Sequence, residues 1–493
     1  MLGMTVGEVS RAVGGHFQGE GAQPIAGVTT DSRLVRPGDL FVALNGARTD
    51  GHRYLRQVHE SGAAAAFVLA DRGARPEGLA TVVVRDPLRA LGDLARWHLQ
   101  RLRAPVVGIT GTVGKTTGKE FVTTLLGGRN SNVHAAPASY NSECGLPLAV
   151  LGAGTDTRIL VLEYGVNAPG EMDRLLQIAP PRHAWITALT EVHLEGMSDL
   201  ATIVREKSQL ARRVPESGCI WLPQSVEALV AGERAAWCGR VGSYTLDGGA
   251  GAAQILSNRP GAWRVRIPGI GDALLPVIAR HEVELALGAL GIAQELGVPG
   301  DVLRERLGLL QRPPGRLTRL DYGPLTVLDD SYNASPGAML GALGVLAAWP
   351  GAGRRTAVLG TMHELGAAAE RLHRQVGEQV AASEIDRLVA VGRGGAWIAD
   401  AARTAAGRAG RALEVIPVAD APEAAEWLAG CVEAGGVVLL KASRAEGLDR
   451  LCAPLERAAR HLAAASAAAL EPLSVAAGAA AAFVSQDLGR ARA

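Results

Sequence analysis

The stretch Gly111-Thr112-Val113-Gly114-Lys115-Thr116-Thr117 carries the clearest chemistry in the chain. Glycines let backbone N–H groups close around phosphate oxygens, and a helix opening at Lys115 adds a favourable dipole. Lys115 would neutralise a β- or γ-phosphate, and the Thr116 hydroxyl is placed to ligate Mg2+. A strict Walker A motif, G-x-x-x-x-G-K-S/T, requires glycine where Ile109 stands, so the loop is a variant of that motif. Phosphate binding alone leaves kinases, GTPases, ATPases and ligases open.

Two further polar residues fall where such a site needs them. Glu163 follows the apolar run 159–162, and His193 lies a few residues past the run 184–187. Taken alone, Glu163 reads as a solvated strand end and His193 as a structural histidine. Beside Lys115 and Thr116 both become candidates to hold Mg2+, with Glu163 the stronger.

These residues need an open sheet that gathers strand ends. The run 105–110 reads as a buried strand feeding the glycine loop, with a helix over 115–126 behind it. Strands at 159–162 and 184–187 each lead to a polar cluster, which is where an open α/β sheet places its ligands. A helix over 280–296 ends at Gly297. Ahead of this unit, strands at 40–44, 65–69 and 81–84 flank a helix marked by Tyr54, Leu55 and Val58. Behind it, Gln311-Arg312-Pro313-Pro314-Gly315 is a turn-rich hinge, followed by strands at 325–328, 356–359, 387–391 and 436–440. The fold class is α/β in three domains. A small α/β domain spans 1–103. A central P-loop-type domain spans 104–312, with a mostly parallel sheet and helices on both faces. A Rossmann-like C-terminal α/β domain spans 313–462. The alanine-rich tail 463–493 reads as a helix or a frayed end.

Bulk properties exclude several function classes. The 493 residues suit about three domains at roughly 150 residues each. With 50 basic against 49 acidic residues, the balance gives no reason to expect nucleic acid or an anionic membrane as partner. Aromatics make up 4%, too few for base-stacking platforms. Cys144, Cys219, Cys238, Cys431 and Cys452 are scattered and odd in number, which fits a reducing compartment and argues against a disulfide framework or zinc site. The N-terminus lacks the pattern of a secretory signal, and the longest apolar stretch, near 475–484, is too short to span a membrane. The chain is expected to be cytoplasmic, with no integral membrane segment.

The motifs also match a family. Glu163-Tyr164-Gly165-Val166-Asn167-Ala168-Pro169-Gly170-Glu171 resembles the E-M-G-x-N-x-P-G-E signature of the Mur ligases. Asp31-Ser32-Arg33, the stretch 37–44 and Gly46-x-Arg48-x-Asp50-Gly51-His52 resemble that family's uridine-nucleotide domain. Asn141-Ser142-Glu143-Cys144-Gly145-Leu146-Pro147 is similar to N-x-E-x-G-x-P, and His193-Leu194-Glu195-Gly196 to H-L-E-G. Asp329-Asp330-Ser331-Tyr332-Asn333-Ala334-Ser335-Pro336 resembles D-D-x-Y-N-A-N-P. The stretch 359–366 and Lys441-x-Ser443-Arg444 resemble two C-terminal motifs. The order and spacing of these motifs, across all three domains, carry more weight than any one of them.

The resemblance implies an ATP-dependent amide ligase of cytoplasmic peptidoglycan precursor synthesis. Its pattern is that of joining D-alanyl-D-alanine to UDP-N-acetylmuramoyl-tripeptide through an acyl phosphate. It implies ATP and two Mg2+ as cofactors and a monomeric enzyme. Ser32, Arg33, Arg48, Gly51, His52 and Asn141 would contact the UDP substrate. The loop residues Gly111, Thr112, Val113, Gly114, Lys115, Thr116 and Thr117, with His281, would hold ATP. Arg316 and Asp330 would come near the nucleotide when the domains close; without the resemblance they read equally as a hinge salt bridge. Mg2+ would sit on Thr116, Glu163, His193 and Lys207, the last as a carbamate that turns a repelling ammonium into an oxygen ligand. By spacing alone Lys207 reads as a solvated helix residue. Lys115, His193, Lys207 and Asp330 would be catalytic. Tyr332, Asn333 and Arg444 would face ATP or the dipeptide.

The pattern breaks where the family's central domain carries G-x-H-N-x-x-N. Here His281 is kept, while Glu282 and Leu285 stand in the asparagine positions. Leucine makes no amide hydrogen bond, and one lost neutral bond is worth about 0.5–1.5 kcal/mol, roughly tenfold in affinity. Thr361 replaces Asp in L-G-D-M, and Ala442 replaces Gly in K-G-S-R. The sister ligase that adds the third peptide residue carries D-N-P-R/K, which is not found here. A divergent ligase with another amine substrate and a non-catalytic nucleotide-binding paralogue remain as alternatives.

Overall fold

The structure is a computed structural model that describes residues 3–46, 49–72, 75–129, 131–190, 194–246, 248, 252–351 and 353–464. Arg48, His193 and the apolar stretch 475–484 lie outside the described residues. The chain forms two compact units, Met1–Pro313 and Pro314–Ala493.

The first unit holds two main sheets. The smaller, in spatial order, is His16–Gln18, Ala80–Val83, Ala65–Val68, Asp39–Val42 and Gly27–Thr29. Its pairs are parallel except that of His16–Gln18 with Ala80–Val83. The larger sheet runs Arg240–Tyr244, Cys219–Pro223, His183–Ile186, Val106–Thr110, Ile159–Glu163 and Val133–Ala135, all parallel. Strands covered on both faces read as continuous apolar runs, which Val106–Thr110 and Ile159–Glu163 do. Alternate side chains enter two separate cores. Leu160 and Leu162 join helices Gly145–Leu151, Glu171–Ile178 and Leu200–Arg212. Val107, Ile109 and Val161 join Lys115–Leu125 and Arg280–Glu295. The first core also takes in Leu40, Phe67, Val82 and Leu94, so the small sheet and helix Pro87–Leu102 share it.

An antiparallel meander, Gln254–Arg259, Ala262–Ile267 and Gly271–Leu275, forms a further three-stranded sheet beyond the strands expected from the sequence. The second unit carries one sheet in the order Thr318–Tyr322, Leu325–Asp329, Val437–Lys441, Arg355–Leu359, Arg387–Val391 and Glu414–Val418. Only its first pair is antiparallel. Among the described residues no helix is long and apolar enough to cross a membrane, and all five cysteines are free.

Candidate active site

The glycine loop joins strand Val106–Thr110 to helix Lys115–Leu125. Gly111 (φ 148°) and Gly114 (φ 86°) hold backbone conformations that side chains disfavour. A Cβ on Gly111 would overlap Thr187 Oγ1. That hydroxyl donates to Val113 O at 2.5 Å, and the Thr112 N–H donates to Ala188 O at 2.9 Å. The loop is thereby tied to the end of the neighbouring strand. Lys115 Nζ folds back over it, donating to Gly111 O at 2.7 Å and lying 3.4 Å from Thr112 O. Val113 is half-buried and Thr117 buried.

Thr116 and Glu163 meet directly. The Thr116 hydroxyl donates to Glu163 Oε2 at 3.1 Å and lies 3.1 Å from Ser139 Oγ. Asn141 Nδ2 approaches the same carboxylate oxygen at 3.5 Å. Glu163 is 1% exposed, and its Oε1 makes no directed hydrogen bond. That oxygen lies 3.1 Å from the ammonium of Lys119, which is 0% exposed. A buried carboxylate whose Oε2 lies against a threonine hydroxyl is the hard-oxygen donor set that Mg2+ takes. Lys119 was not singled out from the motifs. Its signal was its place four residues after Lys115, on the same helical face.

Lys207, on helix Leu200–Arg212, is 1% exposed rather than solvated. Its Nζ approaches Val166 O at 3.4 Å, a long contact for a buried ammonium. Burial drives its pKa well below the usual lysine range; Lys115 adds to the shift, while Glu206 and Glu171 oppose it. The neighbouring Glu206 accepts the Met172 N–H at 2.8 Å, tying this helix to Glu171–Ile178.

The two positions where asparagine was expected have structural roles here. Glu282 reaches back over the start of its own helix, with Oε2 accepting Ile278 N–H at 2.8 Å and Ala279 N–H at 3.0 Å. Its carboxylate also pairs with both Arg312 Nε and Nη2. Leu285 packs on the glycine loop itself: a Cβ on Gly114 would lie 2.8 Å from Leu285 Cδ2. His281 is exposed.

In the small sheet's domain, Arg33 forms a two-point pair with Asp31, at 2.9 and 2.6 Å. The guanidinium brings the Asp31 carboxyl down to about 2. Ser32 is half-exposed. Gly51 leaves no room for a side chain, since a Cβ would lie 2.8 Å from Leu44 O. His52 is buried with both ring nitrogens engaged: Nε2 accepts Leu69 N–H at 3.0 Å and Nδ1 meets Asp50 Oδ1 at 2.7 Å. Its ring shapes the loop from within.

In the second unit, Asp330 accepts the Leu317 N–H at 3.1 Å and the buried Lys441 ammonium at 2.6 Å. Lys441 also donates to Asn333 O at 3.0 Å. The Tyr332 ring has Arg316 4.2 Å and Arg444 5.9 Å from its centroid. Arg316, Asp330, Tyr332, Asn333 and Arg444 are thus brought into one cluster around the end of strand Leu325–Asp329.

Comparison with known proteins matches this arrangement. Residues 24–97 match the description "Mur ligase family, catalytic domain", 109–293 "Mur ligase middle domain" and 315–444 "Mur ligase, glutamate ligase domain". A UDP-N-acetylmuramoyl-tripeptide–D-alanyl-D-alanine ligase of Escherichia coli is 34% identical over 405 residues, covering 80% of this chain and 87% of that one. The Bacillus subtilis enzyme of the same name is 33% identical over 441 residues, covering 87% and 92%. The solved structure of MurF from Acinetobacter baumannii superposes with a TM-score of 0.79 at 27% identity, covering 92% of this chain and 99% of that one. MurF from Thermotoga maritima in complex with ADP gives 0.75 at 27% identity, covering 88% and 98%.

Proposed function

The chain belongs to the Mur ligase family, and from that membership we propose that it is an ATP-dependent ligase joining D-alanyl-D-alanine to UDP-N-acetylmuramoyl-tripeptide in peptidoglycan precursor synthesis. The observation that carries the catalytic reading is the meeting of Thr116 and Glu163 under a glycine loop already spanned by Lys115.

In the reaction an oxygen of the tripeptide's terminal carboxylate bonds to the γ-phosphorus of ATP, and the β–γ bridging oxygen leaves with ADP. The dipeptide's amine nitrogen then bonds to the acyl-phosphate carbonyl carbon. The tetrahedral intermediate loses a proton and expels phosphate, leaving an amide. Such transfers need positioning and charge neutralisation above all. The loop N–H groups and Lys115 would supply both at the β- and γ-phosphates. Thr116, Glu163, Lys207 and His193 would hold two Mg2+, which when bound neutralise the phosphate charge. Burial favours the neutral amine of Lys207, the form that adds CO2, and supports its conversion to a carbamate. Residues 1–103 would carry the UDP substrate through Ser32, Arg33, Arg48 and Gly51; 104–312 would bind ATP; 313–462 would bind the dipeptide through Tyr332, Asn333 and Arg444. We take the enzyme as a cytoplasmic monomer.

Phosphate release from ATP, Mg2+, UDP-muramoyl-tripeptide and D-Ala-D-Ala tests this. Release must depend on the dipeptide; release without it, or with another amine alone, overturns the substrate assignment. Lys115→Ala should abolish turnover and leave UDP-substrate binding intact. Loss of that binding in the variant contradicts the domain roles.

A further inference from the structure

We propose that Lys119 sets the metal selectivity of this site by occupying one oxygen of Glu163, so that Glu163 can act only as a single-oxygen ligand. The inference rests on the proposed role of Glu163 as a metal ligand.

Lys119 follows Thr116 by three residues and Lys115 by four, so all three share one face of helix Lys115–Leu125. Its ammonium cannot swing into solvent. It donates to Ala136 O at 2.7 Å and Ala138 O at 2.5 Å, and lies 3.4 Å from Glu120 Oε1. Those carbonyls belong to the turn that carries Ser139, whose hydroxyl meets Thr116. Ala138 sits in the left-handed region at φ 50°, so this turn departs from relaxed geometry. One fixed cation therefore holds the turn and Glu163 Oε1 together. The other oxygen, Oε2, is left facing the Thr116 hydroxyl.

This division of the carboxylate has a chemical consequence. Mg2+ takes six ligands in tight octahedral geometry and accepts carboxylates through one oxygen. Ca2+ takes six to eight oxygens at longer range and commonly uses both oxygens of a carboxylate. A permanent cation on Oε1 blocks the two-oxygen mode and disfavours Ca2+ more than Mg2+. Both partners are buried, at 0% and 1% side-chain exposure, so water screens the effect little.

The test reads metal binding rather than turnover. Mn2+ is loaded onto the full-length protein with a non-hydrolysable ATP analogue, and its displacement by Mg2+ or Ca2+ is followed by electron paramagnetic resonance. Lys119→Met should raise the affinity for Ca2+ relative to Mg2+ by about tenfold. Lys119→Gln, which keeps N–H donors for the two carbonyls, should shift the ratio the same way. A purely structural lysine would change thermal stability and leave the ratio alone. Glu163→Gln separates the two ideas. If it leaves all metal affinities unchanged, the metal-ligand reading of Glu163 fails. If it weakens them while both Lys119 variants keep the wild-type ratio, only the selectivity inference fails. Should neither Lys119 variant fold, the wild type decides, because a wild-type protein that prefers Ca2+ to Mg2+ overturns the proposal.

Discussion

Replacing Glu282 by alanine should cost far more than the loss of a helix cap. Glu282 is 2% exposed, and its carboxylate accepts two backbone N–H groups and pairs with Arg312 through Nε and Nη2 on one guanidinium edge. Loss of the cap alone is worth about 0.5–2 kcal/mol. Removing one partner of a buried ion pair costs about 3–5 kcal/mol, because the other charge stays buried. After the substitution Arg312 keeps Pro276 O at 3.0 Å, which does not neutralise it. The orphaned cation therefore dominates, and a cost of about 3–5 kcal/mol is expected. Arg312→Met in the same protein removes that cation, so the double variant should recover about 1–3 kcal/mol against the sum of the singles. Native-state hydrogen exchange across helix Arg280–Glu295 reads the local free energy without assuming two-state unfolding. A single-variant cost near 1 kcal/mol, or strict additivity in the double variant, would refute the reasoning and reduce Glu282 to an ordinary cap.

Three other perturbations have defined outcomes. Gly111→Ala puts a methyl group into Thr187 Oγ1 and should abolish nucleotide binding in calorimetry, while the UDP substrate still binds; unchanged nucleotide affinity would count against the loop geometry. Lys207→Met concerns a lysine whose folded pKa is depressed, so unfolding takes up a proton and wild-type stability rises with pH until the unfolded value near 10.4 is passed. In CO2-free buffer the variant should be the more stable protein. Its advantage should widen as pH falls from about 10 and level off below the folded pKa; a pH-independent difference in urea midpoint contradicts this. Lys441→Met removes the buried ammonium that pairs with the Asp330 carboxylate, and should lower the urea-unfolding free energy of the second unit by about 3–5 kcal/mol. A loss under about 1 kcal/mol would refute the assignment of this pair as a buried one.

Local signals made much of this protein legible. The run 106–110, the two glycines and Lys115 specify a strand, a phosphate loop and a helix within a dozen residues, because each feature depends on its near neighbours. Strand Arg387–Val391 was readable for the same reason. The meander has a local signature too: Trp263, Val265 and Ile267 are buried between exposed Arg264 and Arg266, the two-residue period of a half-buried strand.

What the sequence determined by itself was which chemistry the chain carries and in what order its motifs fall. The partner of each charge is set by the fold. Lys207 looked like a solvated helix residue and is buried; Glu282 looked like a lost nucleotide contact and anchors Arg312; Lys119 drew no notice and holds the oxygen of Glu163 that Thr116 does not. The glycine loop is set by torsions and spacing, which act between neighbours. Burial and ion pairing depend on which distant strand ends the sheet brings together, and no local pattern encodes them.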